Sequence, residues 1–159
     1  MIKNLGKVYT LILNRNDEIL IGTDREKISV YNMITANYWN KFTGHGNGIW
    51  SLIINKFDEL VSGSGDNTIK IWNMTTGECK KTLREHTNII YALIINSNDE
   101  LISGSQDKTI KIWNMTTGVC IRTLIGHNNT ARALVINKYN ELISGSWDRK
   151  IKIWNMTTG

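Results

Sequence analysis

The chain has 159 residues, of which 41% are hydrophobic, 21% charged and 8% aromatic, and this composition argues against disorder and against a coiled coil. Its length predicts one domain with a buried core. No apolar run reaches the roughly 18 residues that would span a bilayer, and the first residues lack the apolar stretch of a signal peptide. The net charge of +5 is spread along the chain, so charge alone identifies no partner. We therefore expect a soluble, intracellular, cytoplasmic protein that does not act at a membrane.

A repeat of 41 residues organises the chain from end to end. The segment from Glu59 to Gly77 recurs from Glu100 to Gly118 and again from Glu141 to Gly159, and a weaker first copy places Tyr31 at the position of Trp72. We divide residues 1–159 into four copies, at about 4–44, 45–85, 86–126 and 127–159, which together form a single domain.

Each full copy predicts four short β-strands, and no segment shows a helical period. In the second copy the predicted strands are 49–54, 60–64, 68–72 and 79–83, which are rich in β-branched and alternating apolar residues. The segments between them contain Asn, Asp and Gly, which suit tight hairpin turns. Four antiparallel strands per repeat are typical of a β-propeller blade. We expect an all-β fold of four blades, in which the last blade lacks its outer strand.

Three motifs of the second copy resemble a known family. Gly44-His45, the turn at Asp66 and Ile71-Trp72-Asn73 are similar to the Gly-His and Trp-Asp signatures of the WD repeat, although Asn73 stands where Asp is usual. The resemblance implies a WD-repeat propeller that acts as a protein-interaction scaffold. It also implies a hydrogen-bonded network inside each blade, formed by His, a Ser or Thr, Asp and Trp.

Carried over to this sequence, the resemblance predicts such a network in the second, third and fourth copies. Each copy offers two serines on one strand, and the sequence does not choose between them because alternate residues share a face of the sheet. The network candidates are His45, Ser62, Ser64, Asp66 and Trp72; His86, Ser103, Ser105, Asp107 and Trp113; and His127, Ser144, Ser146, Asp148 and Trp154. In the first copy the network is expected to be lost, with Asp24 as a partial substitute, because the matching positions hold Asn4, Ile21, Thr23, Arg25 and Tyr31.

The same Ser, His and Asp side chains could also be interpreted as a hydrolytic triad. A catalytic site is a single constellation, whereas this trio recurs in three copies, which favours a structural role. The three histidines lie one per blade and cannot meet on one metal ion, and Cys79 and Cys120 occupy matching repeat positions without a Cys-x-x-Cys motif. We predict two reduced cysteines and no enzyme activity, no metal and no cofactor.

The candidates for partner binding are residues that differ between copies while the rest of the repeat stays constant. In the WD-repeat family, partners often dock where the innermost strand begins and at the turn between the second and third strands. Trp, Tyr and Arg are favoured at interfaces because they bury a large area and still form hydrogen bonds. The candidates are Lys7, Tyr9, Trp50, Ile89, Tyr91 and Arg132 along the innermost strands, with Gln106 and Trp147 in the turns. For Tyr9, Trp50 and Tyr91 the alternative is that they fill gaps between blades.

These residues predict a scaffold that binds a peptide or protein. Nucleic-acid binding is the alternative, since basic charge beside stacking aromatic rings also holds single strands. Propellers have about four to eight blades, and WD-repeat propellers usually have seven. Four blades are therefore expected to form part of a larger propeller, or to self-associate with a second copy into an eight-bladed ring. A closed four-bladed ring is the third alternative.

Overall fold

A computed structural model describes residues 5–156 of the chain, in which the strands form four antiparallel sheets. Each sheet is one blade, and we number the blades in chain order. The described residues contain no helix that is long and apolar enough to cross a membrane. The all-β fold with three four-stranded blades and a last blade of three strands is confirmed.

The strands follow the repeat closely. Blade 1 contains β1 (Val8–Leu13), β2 (Glu18–Thr23), β3 (Lys27–Asn32) and β4 (Tyr38–Thr43). Blade 2 contains β5 (Ile49–Ile54), β6 (Glu59–Ser64), β7 (Ile69–Asn73) and β8 (Cys79–Leu83). Blade 3 contains β9 (Ile90–Ile95), β10 (Glu100–Ser105), β11 (Thr109–Asn114) and β12 (Cys120–Ile125). Blade 4 contains β13 (Ala131–Ile136), β14 (Leu142–Ser146) and β15 (Ile151–Trp154). In blade 2, β6 begins one residue earlier than the predicted strand, and β7 is shifted by one residue at both ends.

The turn between the third and fourth strands depends on a left-handed residue. Gly77 (φ 78°) and Gly118 (φ 80°) supply it in blades 2 and 3, whereas Ala36 (φ 58°) stands at the matching position of blade 1. Because a Cβ atom is crowded in the left-handed region, Ala36 carries strain that the two glycines avoid.

Each sheet has two faces, which we call front and back. Cross-strand pairing puts Leu60 and Trp72 on the front face of blade 2, and Val61 and Ile71 on its back face. The back faces of blades 1, 2 and 3 each pack against the front face of the following blade, which produces three buried apolar clusters. In the second cluster, for example, Val61 and Ile71 lie against Trp113 of blade 3. The core of the protein is therefore located between blades.

The four blades form an open arc. The innermost strands contact one another in the order β1, β5, β9 and β13. Ile71 and Ile112 on the back faces of blades 2 and 3 are each 2% exposed, whereas the matching Ile153 of blade 4 is 67% exposed. On the front faces, Leu52 is 8% exposed and the matching Leu11 of blade 1 is 59% exposed. The described residues therefore do not form a closed four-bladed ring, because blades 1 and 4 leave each other's apolar faces uncovered.

Candidate functional site

A chain of hydrogen bonds links four side chains inside blade 3. Trp113 Nε1 lies 2.8 Å from Ser103 Oγ, Ser103 Oγ lies 2.7 Å from His86 Nε2, and His86 Nδ1 lies 2.6 Å from Asp107 Oδ2. Blades 2 and 4 repeat this arrangement, with every distance between 2.7 and 2.8 Å. In blades 2, 3 and 4 the network connects the segment ahead of the innermost strand to the third strand.

The two serines of each strand have different partners. In blade 2, Ser62 lies between His45 and Trp72. Ser64 instead donates to the main-chain carbonyls ahead of β5 and accepts the amide hydrogen of Asp66. Blades 3 and 4 divide the roles in the same way, so Ser103 and Ser144 join the network while Ser105 and Ser146 fix the turn.

Burial sets the protonation of this network. In blade 2, burial lowers the pKa of His45 below its ordinary value, although the Asp66 carboxylate acts in the opposite direction. The indole nitrogen of Trp72 can only donate, so Ser62 accepts its hydrogen and donates its own to Nε2 of the neutral His45. His45 Nδ1 then donates its hydrogen bond to the carboxylate of Asp66.

The acidic member of the network is held ionised. Burial alone would raise the pKa of Asp66, but hydrogen bonds from His45, the Gly46 amide and Thr68 outweigh it and hold that pKa well below its usual range. Hydrogen bonds from their own blades likewise hold the pKa values of Asp107 and Asp148 low despite burial.

A threonine is an additional member that the sequence reasoning missed. Thr68 is 7% exposed and its hydroxyl lies 2.7 Å from Asp66 Oδ1, and Thr109 lies 2.6 Å from Asp107 in the same way. The spacing Asp-x-Thr recurs in copies two and three and is the signal that could have revealed it. Blade 4 has Lys150 at this position, where only the main-chain amide reaches Asp148.

A substrate could not reach the serines of the network. The side chains of Ser62, Ser103 and Ser144 are fully buried, and each hydroxyl is already engaged by a Trp and a His. These three serines therefore cannot attack a bound substrate, and their hydrogen bonds hold the blade together. In the part of the chain that the structure describes, no His, Cys, Asp and Glu side chains converge to form a metal site.

Blade 1 departs from the pattern. Ile21 and Tyr31 occupy the positions of the network serine and tryptophan, and the described residues of this blade form no equivalent network. Asn4, at the position of the histidine, lies outside the described residues. The carboxylate of Asp24 accepts the amide hydrogen of Lys7 at 3.1 Å, so it links a turn to the start of β1.

The innermost strands bring aromatic side chains of neighbouring blades together, and we call this row the aromatic ladder. Tyr9 and Trp50 stack with ring centroids 3.8 Å apart and planes 7° from parallel. Trp50 meets Tyr91 edge to face at 4.8 Å, and Tyr91 lies 5.6 Å from Trp147. The guanidinium of Arg132 lies 4.7 Å from the centre of the Tyr91 ring. Residues from all four blades are thus placed in one continuous row.

Members of the aromatic ladder differ in exposure. Tyr91 is 8% exposed, so its ring is covered by its neighbours in the row. Tyr9 and Trp50 are half-buried, whereas Arg132 is exposed and Trp147 is 53% exposed. Of the remaining candidates, Lys7 is exposed, and Ile89 and Gln106 are half-buried. The accessible part of the row is therefore at blade 4.

Most of the chain matches one repeat family. The family model described as WD domain, G-beta repeat, matches residues 37–73, 77–114 and 118–155. The chain belongs to the WD40 family. WD40 propellers are generally protein-interaction scaffolds and typically non-catalytic. Most of blade 1 lies outside the matched segments, in agreement with its departure from the network pattern.

Solved structures show the same WD40 architecture. The chain is similar to the crystal structure of the WD40 beta propeller domain of Doa1, with a TM-score of 0.85 and 20% identity over 94% of this chain and 51% of that one. It therefore spans about half of that domain. It is also similar to the computationally designed Ika4 protein, with a TM-score of 0.84 and 29% identity over 95% of this chain and 92% of that one. No curated protein matches the sequence.

Proposed function

We propose that this WD40 chain is an intracellular, cytoplasmic scaffold that binds a peptide or protein at the blade 4 end of the aromatic ladder. The observation that carries the proposal is the geometry of Trp147. This side chain is 53% exposed, although its amide is fixed to the carbonyl of Thr130 by a 3.1 Å hydrogen bond and its ring leans on Tyr91. An aromatic ring that is ordered before binding loses little conformational entropy on association, which favours a role as an interface anchor.

The charge beside this anchor indicates what a partner would present. Arg132 lies over Tyr91, and among the described residues no carboxylate forms an ion pair with it. A guanidinium in this position suits a carboxylate, which it can engage with two parallel hydrogen bonds. We infer that the bound segment places an acidic side chain on Arg132 and an apolar side chain on Trp147.

The test is a selection of displayed random peptides on the purified chain, followed by fluorescence anisotropy with the selected peptide. Trp147→Gln copies the residue that blade 3 already has at this turn, and Arg132→Ala removes the charge. Phe57→Ala is the matched control, because Phe57 is 65% exposed beside Lys56 in a turn at the other end of the strands. We expect each site variant to weaken binding by about tenfold or more, and the control to bind normally. Equal binding by all three variants would disprove the site.

Nucleic-acid binding is separated from this proposal by a salt titration. An oligothymidylate labelled with fluorescein is titrated with the chain at several salt concentrations. Phosphate contacts would give a steep loss of affinity with rising salt. We expect no tight oligonucleotide complex. A steep slope that is reduced by Arg132→Ala would instead favour the nucleic-acid alternative.

We also propose that the chain associates with itself. Apolar side chains remain exposed on the front of blade 1 and the back of blade 4, including Val8, Leu11, Leu13, Val135, Ile151 and Ile153. Apolar patches of this kind usually mark an interaction surface. Light scattering of the purified chain tests this part of the proposal independently of peptide binding.

A further inference from the structure

We infer that two copies of the chain pair head to tail, so that the front face of blade 1 in each copy covers the back face of blade 4 in the other, and an eight-bladed ring results. This inference rests on the proposed self-association and specifies its geometry. Inside the chain, a back face meets a front face at each of the three blade junctions. A second copy offers the same complementary pair of faces at both ends of the arc.

Ion pairs between neighbouring blades supply the first independent argument. They join the turns that connect the first and second strands of blades 1, 2 and 3. Arg15 of blade 1 lies 3.9 Å from Asp58 of blade 2, and Lys56 of blade 2 bonds to Asp99 of blade 3. In both pairs, the basic residue precedes β2 or β6 by a fixed number of positions and the acid belongs to the next blade. The third junction keeps a weaker version, in which the Ser97 amide donates to the side chain of a blade 4 asparagine at 3.4 Å.

The two ends of the arc carry the unmatched halves of the same pair. Lys138 of blade 4 occupies the position of Lys56, and Asp17 of blade 1 occupies the position of Asp99. Lys138 also lies over its neighbour Tyr139, as Lys56 lies over Phe57. Neither Lys138 nor Asp17 has an ion pair among the described residues. A head-to-tail second copy would bring these opposite charges together.

A row of glycines supplies the second argument. A Cβ added to Gly63 would lie 2.7 Å from the Ile90 side chain of the next blade, and one added to Gly104 would lie 2.7 Å from the main-chain oxygen of Ala131. These glycines let the innermost strand of the following blade approach closely. Gly145 holds the same position in blade 4, yet the nearest atom to an added Cβ is Ala133 Cβ, at an ordinary 3.6 Å.

The repeat identifies the residue that would fill the space at Gly145. Ile90 and Ala131 correspond to Val8 in blade 1, and Val8 is 45% exposed whereas its counterparts are fully buried. In the head-to-tail ring, Val8 of one copy approaches Gly145 of the other. The aromatic ladder continues across the same junction, because Arg132 on β13 then faces Tyr9 on β1 of the second copy.

The blade count limits the assembly to two chains. Head-to-tail contacts either close into a ring or extend into a filament. Known propellers reach about eight blades, which two copies supply and three copies exceed. We therefore expect a particle of about 36 kDa, twice the 18.1 kDa of one chain.

The first experiment is light scattering combined with size exclusion, followed by sedimentation equilibrium, on the full chain. Gly145→Ala should convert the dimer into a monomer and leave the circular dichroism spectrum unchanged, because the added methyl group meets no close atom within its own chain. Leu11→Asp should do the same. Ile34→Asp is the control for an exposed apolar side chain, since Ile34 is 84% exposed in a turn away from both faces. A Gly145→Ala variant that remains a dimer overturns the head-to-tail geometry.

The second experiment tests which charges meet. Lys138→Glu should raise the dimer dissociation constant by about tenfold, because two junctions per ring gain a like-charge contact with Asp17. Asp17→Asn should weaken the wild-type dimer but strengthen the Lys138→Glu dimer, and this change of sign identifies the pair. If Asp17→Asn has the same effect on both dimers, or if the chain forms a filament in place of a dimer, the proposed ring is wrong although the chain still associates with itself. A wild-type chain that is monomeric at every concentration overturns both, and peptide binding to Trp147 is then still tested by its own assay.

Discussion

Replacing Ser103 with Ala tests whether the buried network stabilises the blade. The substitution removes an oxygen that lies 2.7 Å from His86 Nε2 and 2.8 Å from Trp113 Nε1. Both partners are buried, so water cannot replace the lost hydrogen bonds. Each unsatisfied buried polar group costs about 1–3 kcal/mol, and the free energy of unfolding should therefore fall by about 2–6 kcal/mol.

Urea denaturation followed by far-ultraviolet circular dichroism, at one fixed protein concentration, measures this loss. The control is the same Ser103→Ala substitution made in a Trp113→Phe variant. That variant has no indole donor, so the loss of Ser103 Oγ leaves only Nε2 of His86 without a partner. In that background Ser103→Ala should cost about 1–3 kcal/mol less than in the wild type. A loss below 1 kcal/mol in the wild type, or the same loss in both backgrounds, would refute the reasoning.

Two further predictions concern acid stability and backbone strain. The free energy of unfolding should fall as the pH drops below about 6.5, because burial lowers the pKa of His45 and the unfolded state takes up a proton first. It should fall again below about 4, because the hydrogen bonds to Asp66 outweigh its burial and hold its pKa below the unfolded value. Ala36→Gly should raise the free energy of unfolding by about 1 kcal/mol, because it relieves a left-handed alanine. Gly77→Ala should lower it, since the new Cβ would lie 2.8 Å from the main-chain oxygen of Lys41.

Urea midpoints between pH 3 and pH 8 check the first of these predictions, and a midpoint that is flat between pH 7 and pH 5 would contradict it. Thermal melts at neutral pH check the second. Ala36→Gly and Gly77→Ala are opposite changes at matching positions of the repeat, so the strain argument predicts shifts of opposite sign in melting temperature. Shifts of the same sign would contradict it.

The strands could be predicted because their placement depends on short-range information, and the network could be predicted because its residues match the motifs of the WD repeat. Strand placement follows from alternating apolar residues between Asn, Asp and Gly turns, and each of these signals is repeated several times. The correspondence between copies then shows which His, Asp and Trp share a blade. Thr68 was missed because an Asp-x-Thr spacing alone resembles an ordinary turn, and only its contact with Asp66 shows the connection.

Other features could not be predicted because they depend on distances between strands and blades. Ser62 and Ser64 share one face of β6, so their alternation does not distinguish them. Ser62 belongs to the network because the His45 ring lies beside it, which only the three-dimensional structure shows. The sequence likewise offered Tyr91 both as a partner contact and as a filler between blades. In the structure Trp50, Trp147 and Arg132 surround the Tyr91 ring, and this arrangement depends on the separation of neighbouring innermost strands.

The repeat and its motifs were thus enough to predict a WD40 chain of four repeats with a constant polar network, because a periodic sequence encodes the same local structure each time. The open arc is visible only in the arrangement of the blades, which leaves Leu11 and Ile153 exposed and buries Leu52 and Ile71. Leu11 and Leu52, and likewise Ile153 and Ile71, have the same local environment in their own sheets. Their burial depends on whether another blade packs against the sheet, which no repeat encodes for itself.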